Sequence, residues 1–138
     1  MKGPFHLPRQ EKEAINMMVI NLTPHEVVLV REDWGVSLSF PASGTVARCD
    51  TLREEVDRIN LETPDGGRSI LNFPITSVVF GDVTGLPDTV PGTRYIVSSL
   101  VAQALPGRTD LLVPDDTIRD NHGRIIGCRA LSRIGGAI

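Results

Sequence analysis

A chain of 138 residues with 41% hydrophobic and 22% charged side chains is long enough to bury one core and too short for two ordinary domains. Its formal net charge of -3 argues against general nucleic-acid binding, which needs a basic stripe to neutralise phosphates. Its aliphatic runs fall far short of a membrane span and the N-terminus lacks an apolar signal-peptide core, so a cytosolic protein with no membrane partner is expected.

Residues 1–18 carry both lysines, Lys2 and Lys12, two prolines and no strand periodicity, and read as an N-terminal arm, with one helical turn conceivable from Gln10 to Met17. Residues 19–138 then form a single β-rich domain. Every later basic residue is arginine, for which codon bias in a GC-rich genome is the simpler explanation; bidentate anion contacts would require the arginines to cluster.

After "NLTPH", Glu26 to Arg31 form a β-branched run, and "EDWG" connects it to "VSLSF", where Val36, Leu38 and Phe40 are expected to face the core. "PASG" breaks that strand and "TVARCD" opens a third. In "LREEVDRINLETPDGGRSIL" the "PDGG" predicts a turn between two arms of a hairpin. "PITSVVF", from Pro74, reads as a separate strand covered on both faces. "GDVTGLPDTVPG", residues 81–92, reads as a long connecting loop, a length that usually has a task.

Tyr95 to Val97 are strand formers that lead into a short helix. Ser98 or Ser99 is its N-cap, Leu100, Val101, Ala104 and Leu105 make its apolar face, and Pro106-Gly107 stops it. A further strand follows at "LLVPDD". "DNHG" is a hairpin turn, and in the last strand Ile126, Cys128, Ala130 and Ile134 share one face while Arg129 and Arg133 share the other. About seven strands and one or two short helices predict a mainly β fold, an antiparallel β barrel or sandwich, with α+β as the alternative.

Chemistry-bearing motifs are sparse. The acids around Asp115, Asp116 and Asp120 lack the spacing of a calcium loop, and Asp120 and His122 fit the turn, so no metal site is expected. Cys49 and Cys128 lack the spacing of a zinc site and are expected to be reduced. His25 is a candidate general base, but Glu26 beside it on a strand points to the opposite face. No nucleophile elbow, phosphate loop, zinc-protease or dinucleotide fingerprint is present, and no cofactor is expected. With 4% aromatics, a base-stacking platform is not expected either.

From about Val19 to Arg133 the chain resembles a family of small uncharacterised proteins associated with bacteriophages, integrated elements and some bacterial genomes. The resemblance rests on "NLTPH" at 21–25, "FPASGTVAR" at 40–48, "VFGDVTGLP" at 79–87, "GTRYIVSSLVAQALPGRTDLLVPD" at 92–115 and "GRIIGCRALSR" at 123–133. It implies a cytosolic accessory protein of viral or mobile-element origin and carries over no catalytic residue. Such proteins often bind a host protein or sequester a signalling nucleotide.

The leading expectation is therefore a binding protein for a small anionic ligand such as a nucleotide. Its pocket would be built from Arg94, Ser98, Ser99, Arg108, Asp110 and the 81–92 loop, with Arg108 on phosphate or carboxylate and the serine end donating hydrogen bonds. A protein-interaction or structural module without a ligand is the alternative, and a hydrolase using His25 the second alternative. Exposed edge strands are compatible with a homo-oligomer.

Overall fold

The computed structural model describes residues 16–134. The expected helical turn at Gln10–Met17 falls almost wholly outside them, and the described chain enters its first strand at Met18.

Eight strands and one helix follow: β1 (Met18–Asn21), β2 (Val27–Arg31), β3 (Val36–Phe40), β4 (Arg48–Glu62), β5 (Ile70–Thr84), β6 (Thr93–Ile96), α1 (Ser99–Ala104), β7 (Leu111–Arg119) and β8 (Ile125–Ser132). Six of the strands form one curled half-barrel sheet in the order β1-β6-β7-β8-β2-β3, and β4 with β5 forms a separate two-stranded hairpin. The fold is mainly β, as expected. The sheet, however, is mixed: β1 with β6, β6 with β7 and β2 with β8 run parallel, while β7 with β8 and β2 with β3 run antiparallel. Parallel neighbours need a crossover connection, and α1 supplies the one between β6 and β7.

Side-chain alternation along β6 divides the core. Tyr95 and Val97 join Leu22, Ala47, Val101, Ala102, Leu111 and Val113 in a cluster under α1. Ile96, pointing the other way, meets Val27 and Cys128, with Val19, Leu29, Phe40 and Leu131 packed around them. Asn21, 2% exposed, ties the two ends of the curled sheet: its Nδ2 donates to the Phe40 carbonyl of β3 at 2.8 Å and to the His25 carbonyl at 2.7 Å.

Several local expectations are corrected. Val36 and Leu38 stand 44% and 57% exposed, and of the three apolar residues of β3 only Phe40 packs into the core. On β8, Cys128 is buried but Ile126 is open to solvent. On α1, the buried pair is Val101 and Ala102, while Leu100 is exposed. The largest change concerns the middle of the chain. "TVARCD" and the first hairpin arm belong to one continuous 15-residue strand, and "SIL" and "PITSVVF" to another. The strand expected to be covered on both faces is exposed along its length, and it runs to Thr84, so the connecting loop is shorter than the 81–92 segment.

Candidate functional site

The start of α1 is a structural cap. Ser98 has extended backbone and its hydroxyl accepts from the Val101 N–H at 3.3 Å, satisfying one of the amides that a helix start leaves unpaired. Arg108 lies just past the helix, and its guanidinium is engaged within the fold. Nε and Nη2 donate to the two oxygens of Asp110, each at 2.8 Å, and Nη2 also donates to the Pro87 carbonyl at 2.9 Å. The Asp110 side chain is 3% exposed and that of Arg108 23%. Hydrogen bonds from Arg108 hold the Asp110 carboxyl below the usual carboxylate range, against the opposing effect of burial.

This bidentate pair, with the Tyr95 hydroxyl donating to the Asp88 carbonyl at 3.4 Å, pins the connecting loop to the sheet. Arg108 and the loop do therefore come together, as the sequence suggested, through bonds internal to the fold. Arg94 donates to the neighbouring Thr93 carbonyl at 3.2 Å.

Of the five expected site residues, only Ser98 and Ser99 line the groove of about 670 Å³ at the strand ends. Its walls are mostly aliphatic, from Val27, Val28, Val97, Val113, Ile125 and Ile126, and His25 and Thr117 add polar atoms. Glu26 reaches the groove as well, but its carboxylate accepts a hydrogen bond from Ser39. Asn21 builds the adjoining turn: its Oδ1 accepts from the Thr23 N–H at 2.9 Å and the Thr23 hydroxyl at 2.7 Å. Among the described residues no cluster of three potential metal ligands occurs. Asp120 performs the expected turn role, accepting from the His122 and Arg124 amides at 2.8 and 3.0 Å.

The most unusual surface is one that sequence reasoning passed over. At about 3.3 Å per residue, strands of 15 residues make an arm roughly 50 Å long. Only its root packs into the body, through Cys49 and Val83. Ladder register sorts its side chains. Leu61 faces Leu71 and Ile59 faces Phe73, and Ile75, Leu52 and Val79 continue the same face toward the root, with Asp57 and Glu54 beside them on β4. The seven apolar side chains are 40% to 67% exposed.

The other face of the arm's outer half carries Ile70 and Pro74 together with an internally bonded polar cluster. Arg58 donates to Glu55 at 2.8 Å and to Asn72, and Asn72 donates to Asn60 at 2.8 Å. Two register shifts, between Cys49 and Thr51 and between Glu55 and Asp57, mark bulges that increase the ribbon's twist. At the tip the "PDGG" turn forms as expected, with Gly66 and Gly67 at φ of +91° and +80°. The Thr63 N–H donates to the Ser69 carbonyl at 3.0 Å across it.

A signal for this face lay in the alternation of Ile59 with Leu61 and of Leu71, Phe73 and Ile75. Alternation predicts one apolar face, and the sequence alone does not say whether the molecule itself covers it. No family model, curated protein or solved structure matches the chain, and among the described residues no helix is long and apolar enough to cross a membrane.

Proposed function

We propose that the chain is a protein-interaction or structural module and that the β4–β5 arm is the part that engages a partner. The observation that carries this reading is the arm's apolar face: seven large aliphatic or aromatic side chains, none of them less than 40% exposed, on a ribbon that leaves the body. Scattered apolar residues on a surface need no explanation, but a contiguous patch of this kind marks an interaction site. An isolated two-stranded hairpin is marginal in water and gains stability from a further layer. The test places a photoreactive amino acid at position 73 of the full chain. Irradiation is expected to give a covalent adduct with another polypeptide, and the absence of any adduct refutes the reading.

A small-molecule ligand is the second reading, favoured by the groove beside Ser98 and Ser99. Its aliphatic walls with a few hydroxyls and His25 suit a largely apolar ligand with one polar end. An anion such as a nucleotide would draw Arg94 or Arg108 toward the serines, at the expense of the Asp110 pair. Native mass spectrometry on protein purified from cells distinguishes the two: a stoichiometric released small molecule supports the ligand, and an empty protein removes it. The accessory role in a phage or mobile element is proposed on the sequence resemblance alone.

A further inference from the structure

We infer that the apolar face of the arm is covered by the same face of the arm of a second copy of this chain, an inference that rests on the arm being the interacting part. Area is the first argument. Beyond its root the apolar face runs from Leu52 to Leu61, roughly 35 Å, and is two strands wide, about 10 Å with its side chains, so it offers about 350 Å². Two such faces together remove about 700 Å² from water, the size of a weak, reversible interface.

Match of shape and polarity is the second. The groove of the body, about 670 Å³, has room for a few side chains and cannot receive a face of that length. Among the described residues, the surface that equals the arm in length and in apolar character is another arm. An isologous contact requires such a self-complementary patch. The charges on this face, Glu54 and Asp57, both belong to β4, so they lie toward one margin and leave Leu71, Phe73 and Ile75 of β5 as an apolar row, with Val79 beyond Ser77.

The third argument is the edge. Pro74 removes one N–H from β5 and disfavours a hydrogen-bonded ladder along that edge, and the charges of β4 from Arg53 to Arg58 blunt the other edge, so the face is left to do the pairing.

Sedimentation velocity on the full chain between about 1 and 100 μM tests this. The wild type is expected to be dimeric or larger, and Phe73→Asp combined with Ile75→Asp to raise the dissociation constant at least 100-fold with the body's melting unchanged. Asn72→Asp, on the opposite face, is expected to leave assembly intact. Leu61→Thr with Leu71→Thr keeps strand propensity and guards against simple melting of the arm; it is expected to weaken assembly at least 10-fold. A wild type that stays monomeric throughout overturns the inference, and so does an oligomer unmoved by these substitutions. The photoreactive residue at 73 separates the two failures. A monomer that cross-links to a different protein removes the second copy and keeps the interaction module, whereas no adduct at all removes both.

Discussion

Replacing Arg108 with alanine separates a structural clasp from a ligand-binding arginine. In the folded chain the Asp110 carboxylate is 3% exposed and its counter-ion is Arg108, which also holds the Pro87 carbonyl. Removing one partner of a buried pair leaves an uncompensated charge, at a cost of roughly 3–5 kcal/mol. The lower figure applies because Arg108 is itself 23% exposed and water can reach the vacated space. About 3 kcal/mol corresponds to roughly a 10 °C fall in Tm for a domain of this size. Arg108→Lys, which keeps the charge but not the two-pronged geometry, should fall between.

The pH dependence identifies the cause. Asp110 is held below its ordinary pKa in the wild type, so its contribution is present above the unfolded carboxylate value of about 3.9 and is lost as pH falls through the folded value. In Arg108→Ala the carboxylate stays buried without its guanidinium. Its pKa then moves up, and acidification relieves the penalty by neutralising it. The stability gap between the two proteins should therefore be widest near neutrality and narrow toward about pH 4. Urea unfolding followed by circular dichroism at several pH values measures it. A variant as stable as the wild type at neutral pH, or a gap that does not change with pH, would refute the clasp.

Four other outcomes are expected. Asn21→Ala strips partners from the His25 and Phe40 carbonyls and from the Thr23 amide and hydroxyl; with the residue 2% exposed, a loss of about 3 kcal/mol in chemical denaturation is expected. Gly85→Ala forces a Cβ to within 2.3 Å of the Val46 carbonyl oxygen at a φ of +77°, and expression or melting should report a loss of at least about 3 kcal/mol. In thiol titration with Ellman's reagent, half-buried Cys49 should react in the native protein and Cys128, 2% exposed, only on unfolding. Burial pushes the Cys128 thiol up, so its contribution to stability is lost as pH rises past the ordinary thiol value. Hydrogen exchange should be fast from Leu52 to Val79 and slow in β6 and β7 when the chain is diluted below its association range; equal protection of arm and body in a monomer would contradict their separateness.

Much of the body is legible in the sequence because local chemistry determines it. The Ser98 cap, the Pro-Gly stop after α1 and the "PDGG" and "DNHG" turns each depend on residues close in the chain. Strand direction is different. Whether β2 lies beside β3 alone or also parallel to β8 is decided by contacts a hundred residues apart, and no local pattern encodes it. Arg108 and Asp110 show the same limit at the candidate site. Their spacing of two and their charges suit a ligand and a clasp equally, and only the position of Pro87 distinguishes the two.

The arm marks where sequence reading fails for a reason of principle. An apolar run such as "PITSVVF" is evidence of burial somewhere, and the natural inference is burial inside the same chain. Here the same residues lie outside the body's core, and in the outer half of the arm Ile59, Leu61, Leu71, Phe73 and Ile75 alternate with the period of a strand with one covered face. Hydrogen bonds from Arg58 through Asn72 to Asn60 stiffen the polar side without shielding the apolar one. A ribbon held rigid on one face and left bare on the other pays little conformational entropy when it docks, since its backbone is ordered before contact. The sequence signature of such an arm is thus a buried pattern with too little chain around it to do the burying, and the missing layer is what the oligomeric state of the full chain should supply.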